Sequence, residues 1–213
     1  LDGVTAPLFE LDPPRHTVWR RHLQRFFAPT TVAHHEPYVR DLSRRVVAEL
    51  RPKGRADFVP DLARRISPIL VGELLGVPER QRSVFSSLVC ALGAARTADE
   101  AGRAGRAYAD FLLAQIRSAR GRQGGDLLTS VANTEIDGRH ATDHELLKFA
   151  FFMVAAGHLT TTDTIANTVL VLARDAPLRR RVAATPALIP ELIEESVRHE
   201  SAVAATGRTV RGD

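Results

Sequence analysis

Apolar residues recur every three or four positions along most of the chain, in stretches that prolines and glycines separate. This spacing is typical of amphipathic helices that turn one face toward a core. The pattern predicts helices over residues 16–27, from Thr30 or Thr31 to residue 50, and over residues 59–75, 79–94, 99–120 and 191–199. The chain is therefore predicted to be mainly α-helical.

The longest predicted helix begins near residue 142, where the TDHE sequence is a capping box, and apolar periodicity continues over residues 146–173 without a proline. At ~1.5 Å per residue such a helix would be about 45–50 Å long, which crosses a whole domain and makes the helix central. Within it, residues 156–162 (AGHLTTT) combine a glycine with β-branched threonines, which favours a local distortion.

The end of the sequence alternates apolar and polar residues over 206–210, which predicts a strand. The chain begins at Leu1 without a methionine and stops at Asp213, shortly after that strand. We therefore expect residues 1–213 to be a single domain that is truncated at both ends.

Composition narrows the class of protein. A hydrophobic share of 44% excludes general disorder, and a net charge of +4 gives little support for a nucleic-acid partner. The apolar run at residues 149–157 is too short to span a membrane, and no signal peptide precedes it. The single cysteine, Cys90, excludes an internal disulfide, so we expect a soluble cytoplasmic protein. Only two of the 29 basic residues are lysine, a bias typical of G+C-rich bacterial genes.

Four motifs follow one another in the chain: DPPRHTVWRR at residues 12–21, AGHLTT at 156–161, ESVR at 195–198 and GRT at 207–209. Their order and spacing resemble those of bacterial cytochrome P450s, from the C helix of that family to its K helix and the following strand. The resemblance covers nearly the whole chain. It implies an incomplete, mainly α P450 fold with a long central I-type helix and small β elements, and it implies haem b, with its iron, as the cofactor.

The resemblance gives the first motif a role in binding haem. His16 and Arg20 correspond to the pair that meets a haem propionate, and Arg208 corresponds to a third propionate partner. A spacing of four residues places His16 and Arg20 on one helical face, and arginine makes charge-assisted bonds to carboxylates. Arg21 and Arg25 resemble part of the basic surface where the family docks a ferredoxin. A plain solvated basic face accounts for these two about equally well.

The resemblance places Ala156, Gly157 and Thr160 beside the haem, where the threonine helps to hold water and deliver protons to iron-bound oxygen. The family has an acid just before this threonine, but here the residue is Leu159, which cannot relay a proton. Adjacent residues of a helix point about 100° apart, so His158 should face away from the oxygen site. From sequence alone, a glycine and a threonine in mid-helix more often indicate a packing adjustment.

The resemblance also concerns an ion pair and the cysteine ligand of the haem iron. Glu195 and Arg198 resemble the buried structural ion pair of the family. The cysteine that ligates the haem iron follows the last predicted strand in P450s, and Cys90 lies far upstream in a predicted apolar helix. The sequence as printed therefore contains no predicted metal ligand.

The resemblance implies a haem-thiolate monooxygenase that oxidises a small organic substrate, of the secondary-metabolite kind, with O2 and electrons from a ferredoxin. Leu159 and the absence of the cysteine loop keep a second hypothesis open, namely a haem-free P450-like auxiliary protein that activates a glycosyltransferase. The propionate-type residues argue against it, and a truncated product without activity is the third possibility. Hydroxylation and epoxidation are not distinguished, and the substrate stays open.

Overall fold

A computed structural model describes residue 8, residues 10–136 and residues 138–207. The helices are α1 Arg15–Leu23, α2 Pro29–Ala33, α3 Glu36–Leu50, α4 Arg64–Leu75, α5 Glu79–Ala94, α6 Ala98–Ala119, α7 Leu127–Asn133, α8 Asp143–Arg174, α9 Ala176–Ala184 and α10 Ile189–His199. Two short strands, β1 Glu135–Ile136 and β2 Arg139–His140, form an antiparallel pair. The prediction of a mainly α-helical protein with small β elements is confirmed.

The first predicted helix is shorter than expected. α1 ends at Leu23, and residues Gln24–Phe27 continue as a 3₁₀ helix. Asp12 precedes the cap position, which Pro14 occupies without a side-chain cap bond, and the Asp12 carbonyl accepts the His16 N–H at 3.0 Å.

The prediction of one continuous second helix was wrong, because this segment forms two helices, α2 and α3. Each has a proline in its first turn, where the missing N–H does no harm, and a proline cannot sit in a continuous helix without removing a hydrogen bond. Thr30 and Thr31 therefore lie inside α2 instead of capping a longer helix. The Thr31 hydroxyl donates to the Arg25 carbonyl at 2.8 Å.

The third predicted helix begins with a π-helical turn, Val59–Ala63, and continues as α4. It ends as predicted at Gly76, which has a φ of +83°. The N–H of Val77 bonds to the Gly72 carbonyl at 2.8 Å, which closes the helix with the pattern that a left-handed glycine permits.

The positions of three short elements were not predicted from the sequence: α7, the β1–β2 pair and α9. Aspartates cap both helices, since Asp126 accepts the Thr129 N–H at 2.8 Å and Asp175 accepts the Leu178 N–H at 2.8 Å. The strand predicted over residues 206–210 is not seen at residues 206 and 207, and its other residues lie outside the described part of the chain.

The long helix α8 has 32 residues and is central, as predicted. Its capping box forms, because the Thr142 hydroxyl accepts the Glu145 N–H at 3.2 Å and Glu145 accepts the Thr142 N–H at 2.8 Å. The helix packs against α4, α6, α7, α9 and α10. It stays α-helical through residues 156–162, so the predicted distortion does not interrupt it.

The main core lies between α8 and its neighbours. Trp19 of α1, Val71 of α4 and Tyr108 of α6 belong to it, together with Phe149 of α8. A smaller core joins α3 to α4 through Leu42, Val46 and Ile66. Among the described residues, no helix is both long enough and apolar enough to cross a membrane.

Candidate functional site

α1 presents the first pair of predicted site residues. Trp19 and Leu23 form the buried face of this helix, and the Trp19 ring lies 5.9 Å from the Phe149 ring of α8. His16 and Arg20 share another face, where His16 is partly exposed and Arg20 is exposed. In the described part of the chain neither side chain has a hydrogen bond or an ion pair, so both are available to a ligand.

The third predicted propionate partner, Arg208, lies outside the described residues. Its relation to His16 and Arg20 therefore stays a prediction.

Arg21 and Arg25 differ in their surroundings. Arg25 donates to the Ser130 hydroxyl of α7 and stacks 4.9 Å from the centre of the Phe26 ring. His22 Nε2 lies 3.0 Å from the same hydroxyl, and burial, followed by the charge of Arg25, lowers the pKa of His22. Arg21 is exposed beside this cluster. Arg25 is thus fixed on α7, whereas Arg21 is the freer of the two charges.

Thr160 lies at an apolar groove of about 490 Å³ between the second half of α8 and the helices α9 and α10. Its hydroxyl donates to the Ala156 carbonyl at 2.6 Å, which leaves the hydroxyl oxygen free to accept a hydrogen bond. Thr164 and Thr168 continue the same wall of the groove toward the end of α8. Thr160 is therefore one of four threonines in the wall of a mainly apolar space.

Gly157 lies at the packing contact between α8 and α4. A Cβ at this position would lie 2.9 Å from Val71 Cγ2, so a glycine is needed where α4 crosses α8. Of the three predicted positions Ala156, Gly157 and Thr160, only Thr160 lines the groove. The packing explanation therefore applies to Gly157.

His158 is buried against α4, on a different face of α8 from Thr160, as predicted. Its Nδ1 lies 2.7 Å from the Ser67 hydroxyl, and that hydroxyl lies 2.7 Å from the Thr162 hydroxyl. Burial lowers the pKa of His158, the charge of Arg64 adds to this effect, and Asp163 opposes it. Sequence reasoning missed Ser67, whose only signal is a serine within the apolar face of α4.

Leu159 is 54% exposed, although it is a leucine on the central helix. It lines a cleft of about 520 Å³ between α4, α5 and α8, together with Arg64, His158 and Cys90. The position where the family resemblance expects an acid is therefore open to solvent.

Cys90 lies on α5, as predicted, and its thiol is 3.9 Å from the Arg64 carbonyl. It faces the cleft of Leu159 and does not line the groove of Thr160. Within residues 8, 10–136 and 138–207, no three His, Cys, Asp or Glu side chains are placed to hold a metal ion.

Glu195 and Arg198 pair as two parallel bonds, 2.7 Å from Nε to Oε2 and 2.6 Å from Nη2 to Oε1. The hydrogen bonds from Arg198 lower the pKa of Glu195 and the same bonds raise the pKa of Arg198. Both side chains are largely exposed. The burial that the resemblance implies for this pair is therefore not found among the described residues.

Comparison with known proteins places the chain in a family. No family model matches it. It is 31% identical over 219 residues to cytochrome P450 109 of Bacillus spizizenii, and that match covers 98% of this chain and 54% of the relative. The chain belongs to the cytochrome P450 family. This P450 chain is also 30% identical over 216 residues to the cyclomarin C epoxidase CymV of Salinispora arenicola, covering 97% of the chain and 55% of the relative.

The fold agrees with the family. The crystal structure of HmtN, a post-tailoring hydroxylase involved in himastatin biosynthesis, matches with a TM-score of 0.85 and 33% sequence identity, over 93% of this chain and 52% of HmtN. The predicted P450 fold is thereby confirmed. The chain spans about half the length of the P450s that it matches.

Proposed function

We propose that this P450 chain is part of a haem-thiolate monooxygenase that oxidises a small organic substrate of a secondary-metabolite pathway, in the cytoplasm, with O2 and ferredoxin electrons. The similarity to an epoxidase and to a post-tailoring hydroxylase supports the substrate class. The observation that carries the proposal is the pair His16 and Arg20 on α1. His16 is partly exposed and Arg20 is exposed, and neither side chain has a partner in the described part of this P450 chain.

Haem fits this pair chemically. A haem propionate is a carboxylate, and an arginine without a carboxylate partner gains a charge-assisted hydrogen bond by binding one. Trp19 anchors α1 on α8, because its buried ring contacts Phe149. His16 and Arg20 would therefore bind the propionate from a helix whose neighbouring face, formed by Trp19 and Leu23, is fixed in the core.

Bound haem would supply oxygen binding and O–O bond cleavage, which a cysteine thiolate ligand favours. Cys90 lies on α5 in the cleft of Leu159, away from the groove of Thr160, so we assign it no role in binding iron. The thiolate would come from a residue outside the printed sequence.

Thr160 would hold a water molecule for proton delivery. Its hydroxyl donates to the Ala156 carbonyl, so its oxygen can accept a hydrogen bond from water in the groove. Leu159 cannot pass a proton to that water. Protons would then reach Thr160 through solvent, without an acidic side chain at residue 159.

Arg21 would contribute to ferredoxin docking. It is exposed, and neighbouring Arg25 is fixed on α7 by its bond to Ser130. An acidic partner would meet Arg21 as a free charge, and the interaction would weaken as salt concentration rises.

The absorption spectrum of the protein expressed from its complete reading frame, reduced and exposed to carbon monoxide, tests the proposal. A red-shifted thiolate-type Soret band is the expected result. The 213-residue chain titrated with haem serves as the comparison, since it carries His16 and Arg20 but no assigned thiolate. Absence of haem from the complete protein would overturn the proposal, and copurification with a glycosyltransferase would then favour an auxiliary protein.

A further inference from the structure

The buried hydroxyl of Ser67 contacts two residues of α8 that lie one helical turn apart. Ser67 Oγ is 2.7 Å from His158 Nδ1 and 2.7 Å from Thr162 Oγ1. Exposed fractions are 0% for Ser67, 1% for Thr162 and 6% for His158. Buried hydrogen bonds of this kind are directional, and a partner that loses one remains unpaired in the interior.

The same helix crossing is tight one turn further along α4. Val71 follows Ser67 by four residues, and it is the residue that leaves no room for a Cβ at Gly157. A rotation or a sliding movement of α8 would therefore break two hydrogen bonds and also change a close packing contact.

Thr160 lies between the two residues that Ser67 contacts. Thr160 lines the groove on another side of α8, and α8 is continuous from residue 158 to residue 162. The position of the Thr160 hydroxyl in the groove then depends on the rotation of this turn about the helix axis.

We propose that Ser67 is a positioning residue: by holding His158 and Thr162 it fixes the rotation of α8 and so places the Thr160 hydroxyl in the groove. This proposal rests on the proposed monooxygenase function for its catalytic consequence. Its structural part, the control of the turn at residues 158–162 by Ser67, stands without it.

The first test is amide hydrogen exchange of the protein expressed from its complete reading frame, with the variant Ser67→Ala. Exchange over residues 156–163 should accelerate at least about tenfold, since two buried partners lose their bond. The matched control is Ser130→Ala, which removes a hydroxyl that contacts His22 on α1 and Arg25 on the 3₁₀ helix that follows α1. Equal exchange over residues 156–163 in the two variants would overturn the proposal.

A second variant separates positioning from simple loss of stability. The triple variant Ser67→Ala, His158→Leu, Thr162→Val leaves no polar group unpaired at this crossing, so it should be more resistant to denaturant than Ser67→Ala. We expect the share of consumed O2 that appears in product to stay several-fold below wild type in both variants, with KM little changed. If the triple variant regained both its resistance to denaturant and the wild-type share of O2 that appears in product, the positioning role would be overturned.

The two proposals can fail separately. If the complete protein binds no haem, the proposed function fails, while the exchange test still decides whether Ser67 controls residues 156–163. If haem and turnover are present but Ser67→Ala changes neither exchange nor coupling, the positioning proposal alone fails.

Discussion

Arg139 of β2 and Glu145 of α8 form a double hydrogen bond, 2.8 Å from Nη1 to Oε2 and 2.5 Å from Nη2 to Oε1. Glu145 also accepts the N–H and the hydroxyl of Thr142 at the cap of α8. One carboxylate therefore joins the small β element to the start of the central helix.

The pH dependence of stability should reveal this carboxylate. The bonds from Arg139, and then those from Thr142, lower the pKa of Glu145 from 4.5 to about 2. A carboxyl whose pKa is lower in the folded state stabilises the fold fully above pH 4.5, and this contribution disappears as pH falls toward 2. We expect the difference in unfolding free energy between wild type and Glu145→Gln to shrink over that interval, as measured by denaturant titration.

Glu79→Gln is the control for this experiment. Glu79 is an exposed acid in the first turn of α5, and it has no ion pair in the part of the chain that the structure describes. Its variant removes no ion pair, so its unfolding free energy should differ from that of wild type by less than that of Glu145→Gln at pH 7. A difference for Glu145→Gln that stays constant from pH 5 to pH 2 would contradict the assigned role.

Haem retention should depend on Arg20 and not on Arg21. One charge-assisted hydrogen bond contributes about 1.5–3 kcal/mol, which corresponds to about 10- to 100-fold in affinity. Arg20→Gln in the complete protein should therefore release haem more readily in competition with apomyoglobin. Arg21→Gln should retain haem and bind an acidic ferredoxin more weakly at low salt. Equal haem affinity in both variants would contradict the assignment of Arg20 to the propionate site.

Thr160→Val should uncouple oxygen consumption from product formation by about an order of magnitude, because the groove loses its hydroxyl at residue 160. Thr164→Val is the matched control, since Thr164 lies one turn further along the same groove. The measurement is product formed per O2 consumed at saturating substrate. If both variants uncoupled to the same extent, the effect would come from any loss of a hydroxyl in the groove and the specific role of Thr160 would be contradicted.

Gly157→Ala should destabilise the protein by about 1–3 kcal/mol, because overpacking forces α4 and α8 apart. Val71→Ala in the same chain should remove part of this loss, since the clash involves Val71 Cγ2. Gly93→Ala is the control: a Cβ there meets nothing within 4 Å on α5, so helix propensity alone should stabilise it by about 0.5–1 kcal/mol. Additive effects of the Gly157 and Val71 changes would contradict the contact.

Features that act within one or two turns were predictable from sequence. The capping box of α8 and the glycine end of α4 depend on residues only a few positions apart, and both formed. The short helices α7 and α9 escaped prediction because seven and nine residues give too few apolar repeats to reveal a period. Their local signals were the capping aspartates Asp126 and Asp175 and the first-turn proline of α9, Pro177.

In the candidate site, too, only relationships within one helix were predictable from the sequence. The separation of His158 from Thr160 follows from the turn of about 100° that each residue adds along a helix, since the two residues are two positions apart. Ser67 was not predictable, since it meets His158 across 91 positions of sequence and nothing local indicates that partner. The reason for Gly157 likewise required Val71, which belongs to another helix.

The exposure of Leu159 has a consequence for which residues this position can accept. Its side chain projects into an open cleft and is 54% exposed, so little packing would be lost if an acid replaced it. Leu159→Glu should leave the unfolding free energy within about 0.5 kcal/mol of wild type, as exposed substitutions generally do. On the proposed function, an acid for proton supply could therefore be introduced at this helix by a single codon change without any adjustment of the surrounding fold.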